Sequence, residues 1–226
     1  MQLDRVHIGV ADLAAAIEKY ERLLGVPAQR TEGACRFQLS RGAVVLELGE
    51  PGLRAVGFLA NDGNEIANWP TGAEAFHGIE VRTDIAVDPE PAADSTPGGV
   101  EGIDHVVVQT ADLDRAIALW RDRLGIRLAL DAQFPERGLR MCFFRSGGVT
   151  LEFVSSLMPP PEPPGPDCFY GVAYKVGDLD AWRAHLTDAG LDVSSAHRGQ
   201  KQGTRVATVR SGTAGVPTLL IEESPV

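Results

Sequence analysis

The sequence predicts an α+β fold assembled from tandem βαβββ modules, the second of them degenerate, and three observations lead there. Residues 3–25 (LDRVHIGVADLAAAIEKYERLLG) and 103–125 (IDHVVVQTADLDRAIALWRDRLG) align without a gap and share Asp, Val, Ala-Asp-Leu, Ala-Ile and Leu-Gly. Farther on, Gly42-Ala43-Val44-Val45-Leu46-Glu47 matches Gly147-Gly148-Val149-Thr150-Leu151-Glu152 in the same order. Its offset is 147 − 42 = 105 against 103 − 3 = 100, so five extra residues sit in the second copy, most simply around Gln133–Arg140. Within each copy the apolar period changes from that of a strand to that of a helix and back again.

Module 1 opens with a strand over Leu3–Val10, and Asp12 then stands where a helix N-cap is needed. The helix carries Leu13, Ile17, Tyr20 and Leu24 on one stripe and ends at Gly25, suited to a left-handed C-terminal residue. Strands follow at 26–32, 34–40 and 43–49. Module 2, about 54–84, is degenerate: a strand Arg54–Ala60, a helical stretch near Asn64–Trp69 and a strand Gly78–Asp84, with two late strands missing. Module 3 repeats module 1, with a strand Ile103–Thr110, cap Asp112, and Leu113, Ile117, Trp120 and Leu124 on the helix. Gly125 ends that helix, and strands follow at 126–132, 140–145 and 148–154. Module 4 has a strand Phe169–Val176, a helix led by Asp178 with Leu179, Trp182 and Leu186, and strands near 192–197, 204–210 and 216–223. Proline-rich connections at Val87–Gly99 and Met158–Asp167 separate the parts. The predicted halves are 1–97 (module 1 about 3–50, module 2 about 54–84, linker 85–100) and 101–226 (module 3 about 101–156, linker 158–167, module 4 about 168–224).

Composition narrows the partners. With 21 Lys and Arg against 31 Asp and Glu, the net charge of −10 repels nucleic acid and anionic membrane surfaces. No stretch approaches the roughly 20 apolar residues of a membrane span, and Met1–Arg5 lacks the start of a signal peptide. Cys35, Cys142 and Cys168 are widely spaced and odd in number, which fits reduced thiols in a cytoplasmic protein. The expected partner is a small molecule, and the expected assembly a monomer or homodimer.

Strand, Asp-Leu, amphipathic helix, Leu-Gly and three strands, repeated in pairs, resembles the vicinal oxygen chelate superfamily over nearly the whole chain. That superfamily groups glyoxalases, bleomycin-resistance proteins and extradiol dioxygenases. The resemblance implies cupped mixed sheets with helices outside, the cup enclosing a metal or a substrate. In such modules the first strand offers a metal ligand and the last a glutamate, which implies His105 and Glu152 as ligands, with Glu152 also the catalytic carboxylate. An imidazole nitrogen and a carboxylate oxygen suit Zn, Fe, Mn or Ni equally, so the resemblance implies one divalent metal or none. The bland alternative is a hydrogen-bonded structural histidine and a solvated glutamate.

The other modules depart from that pattern. Module 1 has Arg5 where module 3 has His105; it keeps Glu47, and His7 lies two residues on, out of register. An Arg5–Glu47 salt bridge closing a vestigial site is the expectation there, with His7 and Glu47 as weaker candidate ligands. Module 4 aligns Gly171 with His105 and Leu219 with Glu152. A third ligand would have to come from Glu223, which shares the face of Leu219, or from His197, the other half or the substrate.

Alternation along the strand puts Gln109 on the face of His105, while Val106 and Val108 face the helices. The basic turn Arg198–Arg205 offers Arg198, Lys201 and Arg205 to a substrate carboxylate or enolate, or is merely a solvated turn. Tyr170 lines a pocket or packs in the core. His77 and His185 receive no role. Three functions stay open: a metal-dependent lyase or isomerase of glyoxalase or epimerase type, a metal-free small-molecule-binding or drug-sequestering protein, and an Fe(II) extradiol-type dioxygenase.

Overall fold

The computed structural model describes residues 1–86, 96–159 and 162–223. Much of the predicted connection at 87–99, part of that at 158–167 and the last residue of module 4 lie outside the described residues. Module 1 comprises β1 (Gln2–Val10), α1 (Leu13–Leu24), β2 (Gln29–Thr31), β3 (Ala34–Gln38) and β4 (Ala43–Leu48). Module 2 has β5 (Gly52–Ala60), a five-residue α2 (Gly63–Ala67) and β6 (Glu80–Ile85). Module 3 has β7 (Val100–Gln109), α3 (Leu113–Ile117), β8 (Arg127–Phe134), β9 (Leu139–Ser146) and β10 (Val149–Ser156). Module 4 has β11 (Cys168–Val176), α4 (Leu179–Asp188), β12 (His197–Arg198), β13 (Thr204–Val209) and β14 (Thr218–Glu223). The class is α+β with mixed sheets, and module 2 is the degenerate one.

Local chemistry accounts for these boundaries. Asp12, Asp112 and Asp178 each accept a hydrogen bond from the amide three residues on, at 3.0, 3.0 and 2.9 Å, and so start three helices in the same way. Gly25 and Gly125 both stand at φ 70°, a left-handed conformation that a side chain resists. Beyond Ile117 the helix of module 3 widens into a π-helical turn over Ala118–Arg123, where the fully buried Trp120 sits. The five extra residues of module 3 appear as the turn after Phe134, with a 3-10 turn at Pro135–Arg137.

One sequence expectation is corrected. The strand near 192–197 shrinks to His197–Arg198 and a single bridge from Val193 to Val209. The cause lies at Ser194: its Oγ accepts the Thr208 amide at 2.9 Å, and its carbonyl accepts from Arg183 Nε at 2.6 Å. A side chain thus takes the ladder position that a backbone carbonyl would fill.

The chain forms two compact units, each drawing on both sequence halves. The first holds Met1–Asp4, Arg54–Asp88 and His105–Tyr170, that is, modules 2 and 3. Here β5 pairs parallel with β6, β7 pairs parallel with β10, and β10, β9 and β8 run antiparallel in turn. Its core is aromatic: Trp120 lies 5.9 Å from Phe58, 5.6 Å from Phe76 and 5.8 Å from Phe153, and Phe58 lies 4.9 Å from Trp69, by ring centroids. Module 2 therefore lacks a full helix but supplies Trp69 and Phe76 from the segment after α2.

The second unit holds Arg5–Leu53, Pro89–Asp104 and Gly171–Val226, chiefly modules 1 and 4. Its strands run in the orders β2-β3-β4-β1 and β12-β13-β14-β11, with β1–β4 and β11–β14 parallel and the rest antiparallel. Between α1 and α4, Trp182 Nε1 donates to the Leu23 carbonyl at 3.3 Å, while Tyr20 donates to the Thr213 carbonyl at 3.0 Å. Cys35 and Cys142 are buried free thiols and Cys168 an exposed one. Among the described residues no helix is long and apolar enough to cross a membrane.

Candidate functional site

In the first unit the β7–β10 pairing positions the two residues that the module pattern singles out. Along β7, Val106 and Val108 are buried, His105 and Val107 half-buried and Gln109 exposed, so alternation turns His105 away from the core. On β10, Thr150 pairs with His105 and Glu152 with Val107, which places the glutamate two residues along on the same face. His105 Nε2 stands 3.8 Å from Glu152 Oε2, with the two side chains 17% and 14% exposed. That separation is too long for a hydrogen bond. It suits two donors to one cation, since ligands each about 2.0–2.2 Å from a metal stand no more than about 4.4 Å apart.

The second unit contains a close copy of this pair, and here the structure corrects the sequence alignment. On β1, His7 pairs with Val45, and Glu47 lies two residues beyond on β4. By strand register His7, not Arg5, is the counterpart of His105. His7 Nδ1 lies 2.8 Å from Glu47 Oε1, and Arg5 Nε donates to His7 Nε2 at 3.3 Å. Arg5 and Glu47, the two residues expected to close this site, each bond to the imidazole of His7.

Module 4 adds no ligand at the matching positions. A Cβ at Gly171 would collide with the Pro217 carbonyl oxygen, so the backbone approach leaves no room there for a histidine or any other side chain. Glu223 is held at Oε2 by Lys175 Nζ at 2.8 Å and at Oε1 by Lys201 Nζ. Those two hydrogen bonds, from Lys175 foremost, hold its carboxyl at about 2. Among the described residues no three His, Cys, Asp or Glu side chains gather as a metal cluster.

The basic hairpin is real but largely neutralised. Arg198 pairs with Arg205 across β12 and β13. Arg205 meets Asp180 at 2.7 Å and Glu222 at 3.2 Å, Lys201 meets Glu223, and Arg198 and His197 are exposed. His197 Nδ1 lies 3.4 Å from its neighbour's carbonyl at Ser195. Gln109 is exposed and accepts from Cys168 Sγ at 3.8 Å, and Tyr170 is 51% exposed at the end of the first unit. A groove of about 290 Å³ in the second unit, lined by Lys19, Tyr20, Arg210 and Thr213, includes none of the candidate ligand or substrate-binding residues.

One polar cluster escaped sequence reasoning. Asp167, at the end of the proline-rich connection, is buried; its Oδ1 accepts from Arg115 Nη2 at 2.6 Å, and its amide donates to the His77 carbonyl at 2.6 Å. Arg115 Nη2 also reaches the Gly165 carbonyl at 3.0 Å. Burial pushes the Asp167 carboxyl above its usual range, opposed by Thr110 and Arg115, and burial lowers His77. No local pattern announces such a cluster, because His77, Arg115 and Asp167 lie 38 to 90 residues apart in the chain (115 − 77 = 38, 167 − 77 = 90).

Comparison with known proteins bears on the family. Residues 104–208 match the model of the Glyoxalase/Bleomycin resistance protein/Dioxygenase superfamily. A Mn(II)-bound glyoxalase from Novosphingobium aromaticivorans is 18% identical with a TM-score of 0.72, over 99% of this chain and 82% of that one. A mutant 4-hydroxymandelate synthase from Streptomyces coelicolor is 15% identical with a TM-score of 0.68, over 100% of this chain and 93% of its own. Methylmalonyl-CoA epimerase from Mycobacterium tuberculosis is 26% identical over 58% of this chain and 93% of its own, with a TM-score of 0.47. No curated protein matches the sequence.

Proposed function

We propose that this chain, a member of the vicinal oxygen chelate superfamily, is a divalent-metal-dependent lyase or isomerase acting on a small molecule with neighbouring carbonyl or carboxylate oxygens. The reading rests on one observation, the 3.8 Å approach of His105 Nε2 to Glu152 Oε2 on adjacent parallel strands. A half-buried nitrogen and oxygen at that spacing form an N/O donor set that fits Zn, Fe, Mn or Ni. His105 and Glu152 would hold the metal, which when bound supplies Lewis-acid polarisation of substrate oxygens. The protein's own share is to orient those two donors by strand register, and to offer Glu152 as the carboxylate that takes a proton from carbon next to the polarised group. Gln109, four residues on along the same face of β7 and exposed, is a polar candidate to meet the substrate.

A second reading, a metal-free small-molecule-binding protein, is favoured by a specific observation: no third metal-ligating side chain joins the pair among the described residues. Catalytic zinc and non-haem iron sites usually have three protein ligands. The dioxygenase reading asks for a second histidine, and the matching position in module 4 is a glycine that cannot be enlarged.

Elemental mass spectrometry on tag-free protein, purified without chelator, separates the two readings. Near-stoichiometric metal in the native protein, lost in His105→Ala/Glu152→Ala, supports the metalloenzyme. No uptake after incubation with Zn, Fe, Mn and Ni overturns it and leaves the binding reading.

A further inference from the structure

The unit holding modules 1 and 4 repeats the His–Glu register of module 3 and sets an arginine beside it. His7 stands opposite Val45 with Glu47 two residues on, as His105 stands opposite Thr150 with Glu152 two residues on. Two residues before His7, on the same face of β1, is Arg5, 5% exposed, whose Nε donates to His7 Nε2 at 3.3 Å. Two residues before His105 stands Ile103, whose side chain has nothing to donate.

Arginine carries donors and no acceptor, and it keeps its charge. His7 Nε2 must therefore be the unprotonated nitrogen. The ring proton then lies on Nδ1 and is donated to Glu47 Oε1 at 2.8 Å. Both ring nitrogens are committed, in a line of guanidinium, neutral imidazole and carboxylate. A metal at His7 would need the very lone pair that Arg5 occupies, and would have to displace a buried positive charge to reach it.

The geometry points to Arg5 as a built-in cation that closes the His7–Glu47 pair, so that this pair takes no divalent metal, and a single substitution at Arg5 uncovers a metal site there. Two residues before the histidine the modules differ, with Arg5 in one and Ile103 in the other. Charge accounts for the substitution: the guanidinium gives Glu47 a positive partner through the ring, as a bound cation would, without any need for a third ligand.

Histidine NMR on 15N-labelled native protein tests this directly, with the His7 signals assigned from His7→Ala. His7 is expected as the Nδ1–H tautomer, with signals unmoved by excess Zn(II). Arg5→Met keeps the length and removes donor and charge. Its His7 signals should shift on Zn(II) addition, and it should retain roughly one more zinc per chain after gel filtration than native protein. That extra zinc should vanish in Arg5→Met/His7→Ala. Zinc reaching His7 in native protein, or an Nε2–H tautomer there, overturns the inference, as does a folded Arg5→Met that takes up no additional zinc. Should Arg5→Met not fold, Arg5→Lys, which keeps a donor and a charge, must leave His7 silent to zinc, and a response overturns the inference. The NMR signals come from His7 and the zinc is counted as a difference from native protein, so a lack of metal at His105 would defeat the proposed function without touching this one.

Discussion

Replacing Arg115 by methionine removes the guanidinium that meets Asp167 and leaves its carboxylate in the core of the first unit. The pair is close, 2.6 Å, with the Asp167 side chain 1% exposed and that of Arg115 21% exposed. Removing one partner of a buried pair costs about 3–5 kcal/mol, and the partial exposure of Arg115 puts this case near 3 kcal/mol at neutral pH. In a chain of 226 residues, at about 2–4 °C per kcal/mol, the thermal midpoint should fall by roughly 6–12 °C. The loss must also depend on pH, and its sign is fixed. Asp167 is raised in the folded state, foremost by burial, and loses a lowering partner when Arg115 goes. A raised folded pKa contributes stability that is fully present below the unfolded value, near about 3.9, and lost as pH rises through the folded value. The variant should therefore lose more against native protein at about pH 7.5 than at about pH 4.5. Thermal melts of native protein, Arg115→Met and Arg115→Met/Asp167→Asn at both pH values check this. The double variant should recover part of the loss, because an amide demands no counter-charge. A midpoint within about 1 °C of native at neutral pH, or an equal drop at both pH values, would refute the reasoning.

Three further outcomes are expected. In a 13C-detected titration Glu223 should ionise near about 2 and move upward in Lys175→Met or Lys201→Met. Its depressed pKa contributes stability present above the unfolded value of about 4.3 and lost as pH falls toward 2, worth no more than about 1 kcal/mol because the pair with Lys201 is exposed. Gly171→Ala should cost about 1–3 kcal/mol in urea unfolding, because its new methyl meets the Pro217 carbonyl rather than a yielding side chain; an unchanged midpoint would show that β11 can move. Tyr20→Phe should cost about 1 kcal/mol in the same assay, since it deletes the buried bond to the Thr213 carbonyl, which keeps only the Val216 amide as donor.

What could be read from the sequence was whatever local chemistry determines. Three aspartates each cap a helix through the amide three residues on, and a glycine at positive φ ends two of those helices; such features act within one turn. The shortened strand near Ser194 could not be read, because what ends it is a hydroxyl bonded to Thr208, fourteen residues away. The division into compact units was equally hidden. It depends on which helices and aromatic rings meet, such as Trp69 and Phe76 of module 2 on Trp120 of module 3. Glu152 and His105 were named because the family resemblance implies ligands at those strand positions; Asp167 and Arg115 were not, because no such pattern covers them.

The mismatch at His7 has a different cause. Sliding a strand by one residue turns every side chain to the other face and is quickly excluded by burial. Sliding it by two changes no face at all: Arg5 and His7 both lie on the side of β1 opposite Val6 and Ile8, each of which is fully buried. A gapless alignment set by Asp12 and Asp112 therefore matches Arg5 with His105, and the hydrophobic pattern accepts it. The β1–β4 ladder decides otherwise, since His7 pairs with Val45 just as His105 pairs with Thr150. Between the two modules the first strand has slipped by two residues against the last, and the slip puts a histidine where alignment had put an arginine. The first module consequently holds both groups on one face of β1, a histidine in register with His105 and the arginine that donates to it.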